Sequence, residues 1–379
     1  MMAPSKKIKW HNPAANIRRI FVEEECLDVP YTREILQRLG NVPLEVLQAY
    51  KIADIIQVHD AKALSRGKKI LLLTSNKGKF VKTCPGTKEY ICCGYQVLNV
   101  GMNCPMDCVY CILQAYLNNP WMSFFVNVDE MFDELDTCMV REKDKLWRIG
   151  TGEFTDSLVL DQLTGLSSLL VEYMRTKPRA VLELKTKSVQ IDNLLTLDHG
   201  GRTIISWSLN SPIVSQREEL YTASLEERIA AAVTCVEKGY RVGFHFDPII
   251  YHKNWQEGYR LVIEKLFDSV SPESIVWISL GCLRFLPALR AIASERFPGS
   301  HIFCEEFVIG LDNKFRYFRS LRVEMYRFMV NTILSIAPEC CLYLCMESEE
   351  IWQEVFGFVP EERGGLAAML DRAAFDLST

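Results

Sequence analysis

Cys104, Cys108 and Cys111 stand in the run Cys104-Pro105-Met106-Asp107-Cys108-Val109-Tyr110-Cys111, a C-x3-C-x2-C spacing. One short loop with that spacing can wrap three corners of a single inorganic group. A closed zinc site takes four ligands, and Cys92 or Cys93 would have to supply the fourth. A cubane [4Fe–4S] cluster held by three thiolates keeps one iron open. An open iron can chelate the amino and carboxylate groups of S-adenosylmethionine (SAM) and pass an electron into its sulfonium. The spacing therefore favours radical chemistry started from SAM over a structural metal.

Such a loop needs a frame, and from about Tyr95 onward the chain alternates strand and helix patterns. Expected strands are Tyr95–Val100, Leu146–Gly150, Ala180–Leu184, Thr203–Trp207, Tyr240–Phe246 and Ser274–Leu280. Expected helices are Val128–Arg141, Ser157–Arg175, Gln190–Leu195, Ser224–Lys238, Trp255–Phe267 and Leu286–Glu295. Ser224 and Glu227 form a capping-box signature, with Gly239 past the helix end. Strand–helix units in series imply a parallel sheet covered by helices. Six units are too few for a closed eight-unit barrel, so the expected fold is α/β, a partial (βα)6 TIM-like barrel. Its function should lie at the C-terminal ends of the strands, and the cysteines follow the first of these.

Residues 1–90 read as a small N-terminal α/β region, with helices at Tyr31–Leu39 and Pro43–Ala49 and a strand at Lys69–Thr74. Residues 91–300 form the barrel. Residues 301–379 read as an extension: a strand over His301–Gly310, a basic aromatic hairpin, a helix Leu321–Ile336, a strand Cys341–Met346 and a short helix near Ile351.

Several strand ends carry polar groups suited to holding SAM. After the second strand comes Gly150-Thr-Gly152-Glu153-Phe154-Thr155-Asp156, where glycines allow close backbone approach and Glu153 and Thr155 offer a carboxylate and a hydroxyl. Lys185 and Lys187 end the third strand, and a lysine there can meet a carboxylate as a point charge. On the fourth, alternation points Ser206, Ser208 and Asn210 to one side. His245, Asp247, Tyr251 and His252 follow the fifth and suit a polar cleft. In the extension, Phe315-Arg316-Tyr317-Phe318-Arg319-Ser-Leu-Arg322 interleaves arginines with aromatics, a composition that can stack bases and grip phosphates.

Composition sets the outer limits. The 379 residues are 49% hydrophobic and 24% charged, enough for a sizeable core, and the net charge of -5 means any nucleic-acid contact must be local. The fourteen cysteines do not form a disulfide-like framework, the N-terminus has no apolar leader, and no run of about 18 apolar residues is present. A reduced, cytoplasmic protein without a membrane partner is expected.

The chain resembles the spore photoproduct lyase family of radical SAM DNA repair enzymes. The resemblance is carried by Cys104, Cys108, Tyr110, Cys111, Leu113-Gln114, Thr155-Asp156, Thr186-Lys187, Ser208 and Asn210. It continues through Ser224–Ala232, Gly239–Phe244, Pro248–His252 and Trp255–Tyr259. It implies a [4Fe–4S] cluster on the three cysteines and SAM held by Thr155, Lys187 and Ser208, with Gly152, Glu153 and Asn210 beside them. It also implies DNA contacts from Arg319 with Arg316 and Tyr317, a catalytic role for Tyr110, and an electron donor such as flavodoxin or ferredoxin. The implied reaction is radical repair of a thymine-dimer-type lesion. Two positions depart from the family: Phe154 stands where the family places a hydrogen-donating cysteine, and Ile112 where it places a second tyrosine. Cys138 or Tyr110 alone are substitute donors to consider. Those departures keep two other readings open: the same frame acting on an RNA base or a peptide, and a nucleic-acid-binding metal protein without turnover.

Overall fold

The computed structural model describes residues 10–55, 61–84, 86 and 89–375. Its centre is a sheet whose parallel strands follow in chain order: β1 (Gln96–Leu98), β2 (Trp147–Gly150), β3 (Ala180–Thr186), β4 (Thr203–Ser208), β5 (Arg241–Ile249), β6 (Ile275–Cys282) and β7 (Leu342–Leu344). Neighbours pair in parallel throughout, and Val81–Thr83 closes the β1 edge antiparallel. The sheet curls into a half-barrel, as the six-unit pattern leads one to expect. Strands β4 and β6 are buried along their whole length, because helices cover one face and the barrel interior the other. Trp207, Phe244, Phe246 and Tyr240 are among the fully enclosed side chains, each stabilising the core by about 1.5–3 kcal/mol.

The helices follow their predicted positions with instructive exceptions. Val128–Arg141 is as expected, and Leu225–Glu237 carries the complete Ser224–Glu227 capping box. The span 157–175 splits into Asp161–Thr164 and Leu166–Arg175, because Gly165 adopts φ 65 between them. Only the 3-10 turn Asp192–Leu194 forms within 190–195.

A second sheet has the order Leu44–Leu47, Arg19–Glu23, Ile70–Thr74, Met122–Phe125, Gly101–Met102. Its last two strands come from beyond residue 90, and one continuous core joins both sheets. The helix expected at Pro43–Ala49 is instead this sheet's edge strand, with Ile20 opposite Leu44 and Val22 opposite Val46. A helix that short gains little by itself, whereas edge pairing satisfies its backbone at once. In the extension, Phe307–Ile309, Phe315–Tyr317 and Arg284–Phe285 form a small antiparallel sheet, and Arg319–Ile336 is one long helix. Among the described residues no helix is long and apolar enough to cross a membrane.

Candidate active site

The cysteine loop is held from four directions. Asn103 opens it in the left-handed region (φ 67), and its side chain accepts from the Cys104 amide at 2.9 Å and donates to the Pro120 carbonyl at 2.7 Å. Buried Lys68 donates to the carbonyls of Cys104 (2.9 Å) and Met106 (2.6 Å). Gln114 donates to the carbonyls of Cys108 and Val109 at 3.0 and 3.1 Å. Arg296 reaches from a distant helix to bond Gln114 and to pair with Asp107 at 2.8 Å. Asp107–Cys108 also pairs antiparallel with Glu219–Leu220. Lys68, Asn103 and Arg296 gave no signal in sequence, because their role depends on where the chain returns.

All three cysteines are free thiols. Their charges would press on one another, so they share one neighbourhood. Among the described residues the ligand trio drawn within 4.8 Å is Glu23, Glu25 and Cys26, not these cysteines. A single zinc ion at about 2.3 Å from each sulfur would draw them closer than that; a cubane spaces its ligands more widely. Three thiols on one short loop are the donor set that an iron–sulfur cluster with one open iron takes.

The strand ends converge beside this loop. The Phe154 carbonyl accepts from the Asn103 amide at 2.8 Å, tying the β2 turn to the cysteine loop. Asp156 accepts from the Thr186 hydroxyl (2.7 Å) and the Lys187 amide (2.8 Å), which fixes that turn to the end of β3. Gly152 is closely packed: a Cβ there would lie 3.0 Å from the Lys185 Cβ. Glu153 and Thr155 are half-buried on this turn. The two lysines separate. Burial pulls the Lys185 pKa down, but Glu153, Glu183 and Asp247 outweigh it and raise it. Lys187 lies instead on the cysteine side, with its Nζ 5.7 Å above the Tyr110 ring and its charge acting on Cys108.

A buried chain of polar groups braces that side. The Tyr110 hydroxyl donates to Glu219, which pairs with fully enclosed Arg228 at 2.7 Å. Arg228 also donates to the carbonyls of Ser208 (2.8 Å) and Ala223 (2.9 Å). Burial raises the Glu219 pKa, but Arg228 and Lys187 overcome it and keep the carboxylate ionised. Ser208 thus sits on a carbonyl anchored by Arg228. Asn210 is a correction: its side chain accepts from Tyr259 (2.6 Å) and the Ser211 amide and donates to the Pro248 carbonyl (2.9 Å). It braces two strand ends.

Inside the barrel, Glu183 accepts from the Ser206 hydroxyl (2.6 Å) and the Trp277 indole (3.2 Å) and bonds His245 at 2.7 Å. Burial raises its pKa, yet His245 and Lys185 bring it down to about 2. A carboxyl depressed on folding stabilises the fold above its unfolded pKa of 4.5, and that stability is lost as pH falls toward about 2. Glu183→Gln should lower stability at pH 7 by about 1–3 kcal/mol. Its deficit against the parent protein should shrink between pH 4.5 and 2, as read by thermal denaturation across pH. A deficit independent of pH would refute the depressed pKa.

The late hairpin corrects the expected nucleic-acid contacts. Arg316 is buried, bonded to Asp312 at 2.8 Å and the Met346 carbonyl at 3.1 Å, and stacked 4.0 Å from the Tyr90 ring centroid. Tyr317 is fully enclosed; its hydroxyl accepts from the Tyr251 amide and its ring stacks on Phe307. As neighbours in one strand these two point to opposite faces, and both faces are covered, so both are enclosed. Arg319 alone is exposed, paired with Glu354. The apolar side chains of Ile309, Leu311 and Phe318 are exposed beside it at 63%, 72% and 44%.

A profile described as "Spore photoproduct lyase" matches residues 16–317. The chain belongs to the spore photoproduct lyase family. It is 25% identical over 294 residues to the spore photoproduct lyase of Bacillus subtilis (strain 168), covering 76% of this chain and 84% of that one. It is 25% identical over 261 residues to the Clostridium acetobutylicum enzyme, covering 68% and 76%. The solved structure of a spore photoproduct lyase complexed with dinucleoside spore photoproduct superposes with a TM-score of 0.78 at 21% identity, over 86% of this chain and 98% of that one. A mutant with bound AdoMet and the same dinucleoside gives 0.78 at 20% identity, with the same coverage. These likenesses agree on the fold.

Phe154 and Ile112 are the two positions expected to depart from the family pattern. Cys138 is a poor substitute donor: it lies near the end of the helix leading into β2, at the opposite end of the strands from the mouth. Cys92 and Cys93, the residues a zinc site would need for its fourth ligand, are exposed and half-buried respectively. The Cys92 thiol interacts with those of Cys84 and Cys93. Cys84 follows the edge strand, its amide on the Tyr95 carbonyl at 2.9 Å. A Cβ on Gly86 would come within 2.9 Å of the Cys92 sulfur. Hydrogen bonds from its two neighbours lower the Cys92 pKa, and the same bonds raise those of Cys84 and Cys93. Cys84 feels the charge of Glu153, and Cys93 that of Cys345, which accepts from Arg284 at 3.3 Å. The thiols at 84, 92, 93 and 345 thus share one electrostatic neighbourhood.

Proposed function

We propose that this chain is a radical SAM enzyme that repairs a thymine-dimer-type DNA lesion, with a [4Fe–4S] cluster on Cys104, Cys108 and Cys111. The observation that carries this reading is the three-thiol loop, locked by Lys68, Asn103, Gln114 and Arg296 beside Lys187 and the β2 turn. The bound cluster and SAM together supply a carbon-centred radical able to take hydrogen from an unactivated carbon. The residues of the chain position and protect that chemistry. Lys187 offers a positive charge next to the loop for the SAM carboxylate, and Glu153 a negative one for its ammonium. Thr155 and Ser208 provide hydroxyls on flanking strand ends. Tyr110, tied to Glu219, walls the loop side. Arg319 and the exposed apolar tip of the hairpin suit a phosphate and an unstacked base step. The electron donor is a flavodoxin- or ferredoxin-like protein.

Hydrogen return falls to Cys84 and Cys93, the thiols that interact with Cys92. One S–H bond breaks, a C–H bond forms on the thymine carbon, and the unpaired electron stays on sulfur. Thiol protons exchange with solvent, so repair of a thymine-dimer dinucleotide in D2O should place deuterium in the released thymine. The Cys84→Ala/Cys93→Ala pair should lose most of that label, and adding Phe154→Cys should restore it. A parent protein that releases unlabelled thymine would exclude the thiols as donors. Failure of a dimer deuterated at its bridge to pass label into 5′-deoxyadenosine would favour a non-lesion substrate, the reading that Phe154 keeps in play.

A further inference from the structure

A cavity at the protein surface lies outside the strand-end site, and its chemistry is one-sided. It measures about 1070 Å3 and is lined by Arg18, Arg19, Lys62, Arg66, Lys68 and Lys69, with Pro105 and Asp107 of the cysteine loop forming part of its wall. Its one acidic lining residue, Asp107, is already taken up by Arg296 at 2.8 Å and by Lys68 at 3.7 Å. Arg18, Lys62 and Lys69 are exposed, whereas Lys68 is buried at the back of the cavity. The amino group of Lys68 holds the carbonyls of Cys104 and Met106. One residue layer therefore separates this cationic surface from the cluster ligands, in a chain whose net charge is -5.

We propose that this cavity is the docking surface for an acidic protein electron donor, which delivers electrons to the cluster through the back of the cysteine loop. The inference rests on the cluster reading above and adds to it the place of entry. Two features favour an acidic protein over nucleic acid. Substrate must reach the strand ends where Glu153, Lys187 and Ser208 stand, and none of these lines the cavity. Binding of single-stranded nucleic acid also leans on interleaved aromatics, and the lining offers one aromatic ring, Tyr221. A concentrated positive surface facing an acidic partner accelerates encounter and makes it sensitive to salt. Electron transfer then needs no further contact, because the loop wall is also the cluster's wall.

The test uses the reconstituted holoenzyme, an acidic flavodoxin as the probe, and a variant carrying Arg18→Glu, Lys62→Glu and Lys69→Glu. Calorimetric affinity for the oxidised flavodoxin should fall about tenfold or more in the variant, and in the parent on raising salt from about 20 to 300 mM. The rate of cluster reduction by photoreduced flavodoxin should fall with it, while reduction by dithionite and the unfolding midpoint stay as in the parent. Equal flavodoxin affinity in parent and variant would overturn the proposal. So would weakened binding of lesion-containing DNA with flavodoxin binding unchanged, which would make the cavity a nucleic-acid surface. Binding is measured on the oxidised partner and reads docking directly. Failure of dithionite to reduce bound iron would instead count against the cluster itself.

Discussion

Cys108→Ala should yield a folded chain that no longer retains iron. Anaerobic reconstitution of the parent should give about four irons per chain, and the variant close to none. Reductive SAM cleavage should fall by on the order of a thousandfold, about 4 kcal/mol in the barrier. The reasoning is one of ligand number: with one iron already open, losing a second protein ligand leaves two, too few to hold a cubane. The loop backbone should survive, because Lys68, Gln114 and Arg296 bond carbonyls and side chains rather than sulfur. Cys92→Ala is the control and should keep its iron, since Cys92 interacts with Cys84 and Cys93 and not the cluster loop. A Cys108→Ala chain that retained iron and cleaved SAM would remove the basis for the cluster assignment.

Arg228→Met should cost about 3–5 kcal/mol, because it leaves the Glu219 carboxylate buried without its main counter-charge. In a chain of this size that lowers Tm by about 4–6 °C. The guanidinium also holds the Ser208 and Ala223 carbonyls and the Thr222 hydroxyl, so its loss loosens the end of β4 beside the site. Replacing Glu219 by Leu in the same chain should recover part of the stability, since a buried pair removed together is far less costly than one partner removed. Differential scanning calorimetry of the single and double variants measures both. A single variant within about 1 °C of the parent would show that the pair is not the brace described.

Much of the frame was legible because it is local. The 3.6-residue and 2-residue periodicities gave the order of the six strand–helix units, and the Ser224–Glu227 box marked a helix start that the structure reproduces. Where local signals were weak, pairing decided: Pro43–Ala49 became an edge strand because a neighbouring strand was there to bond it. The hairpin at 315–319 shows the limit most clearly. A mixture of arginines and aromatics does not by itself say which side chains are covered and which are free. Only packing against Tyr90, Asp312 and Phe307 put Arg316 and Tyr317 inside and left Arg319 exposed.

The sequence by itself determined the cysteine loop, because its ligands lie within one short run and their number and spacing follow from chain geometry. It also determined the half-barrel class, because strand–helix alternation is written residue by residue. The tertiary structure alone decided what surrounds that loop. Lys68 and Arg296 reach it from distant elements, and Glu183 meets His245 only because their strands enclose one interior. The thiols of Cys84, Cys93 and Cys345 share a neighbourhood only after β7 has joined the sheet beside β6. Electrostatic and hydrogen-bond partners are set by distance in space, and sequence separation carries almost no information about that distance once the chain has returned on itself.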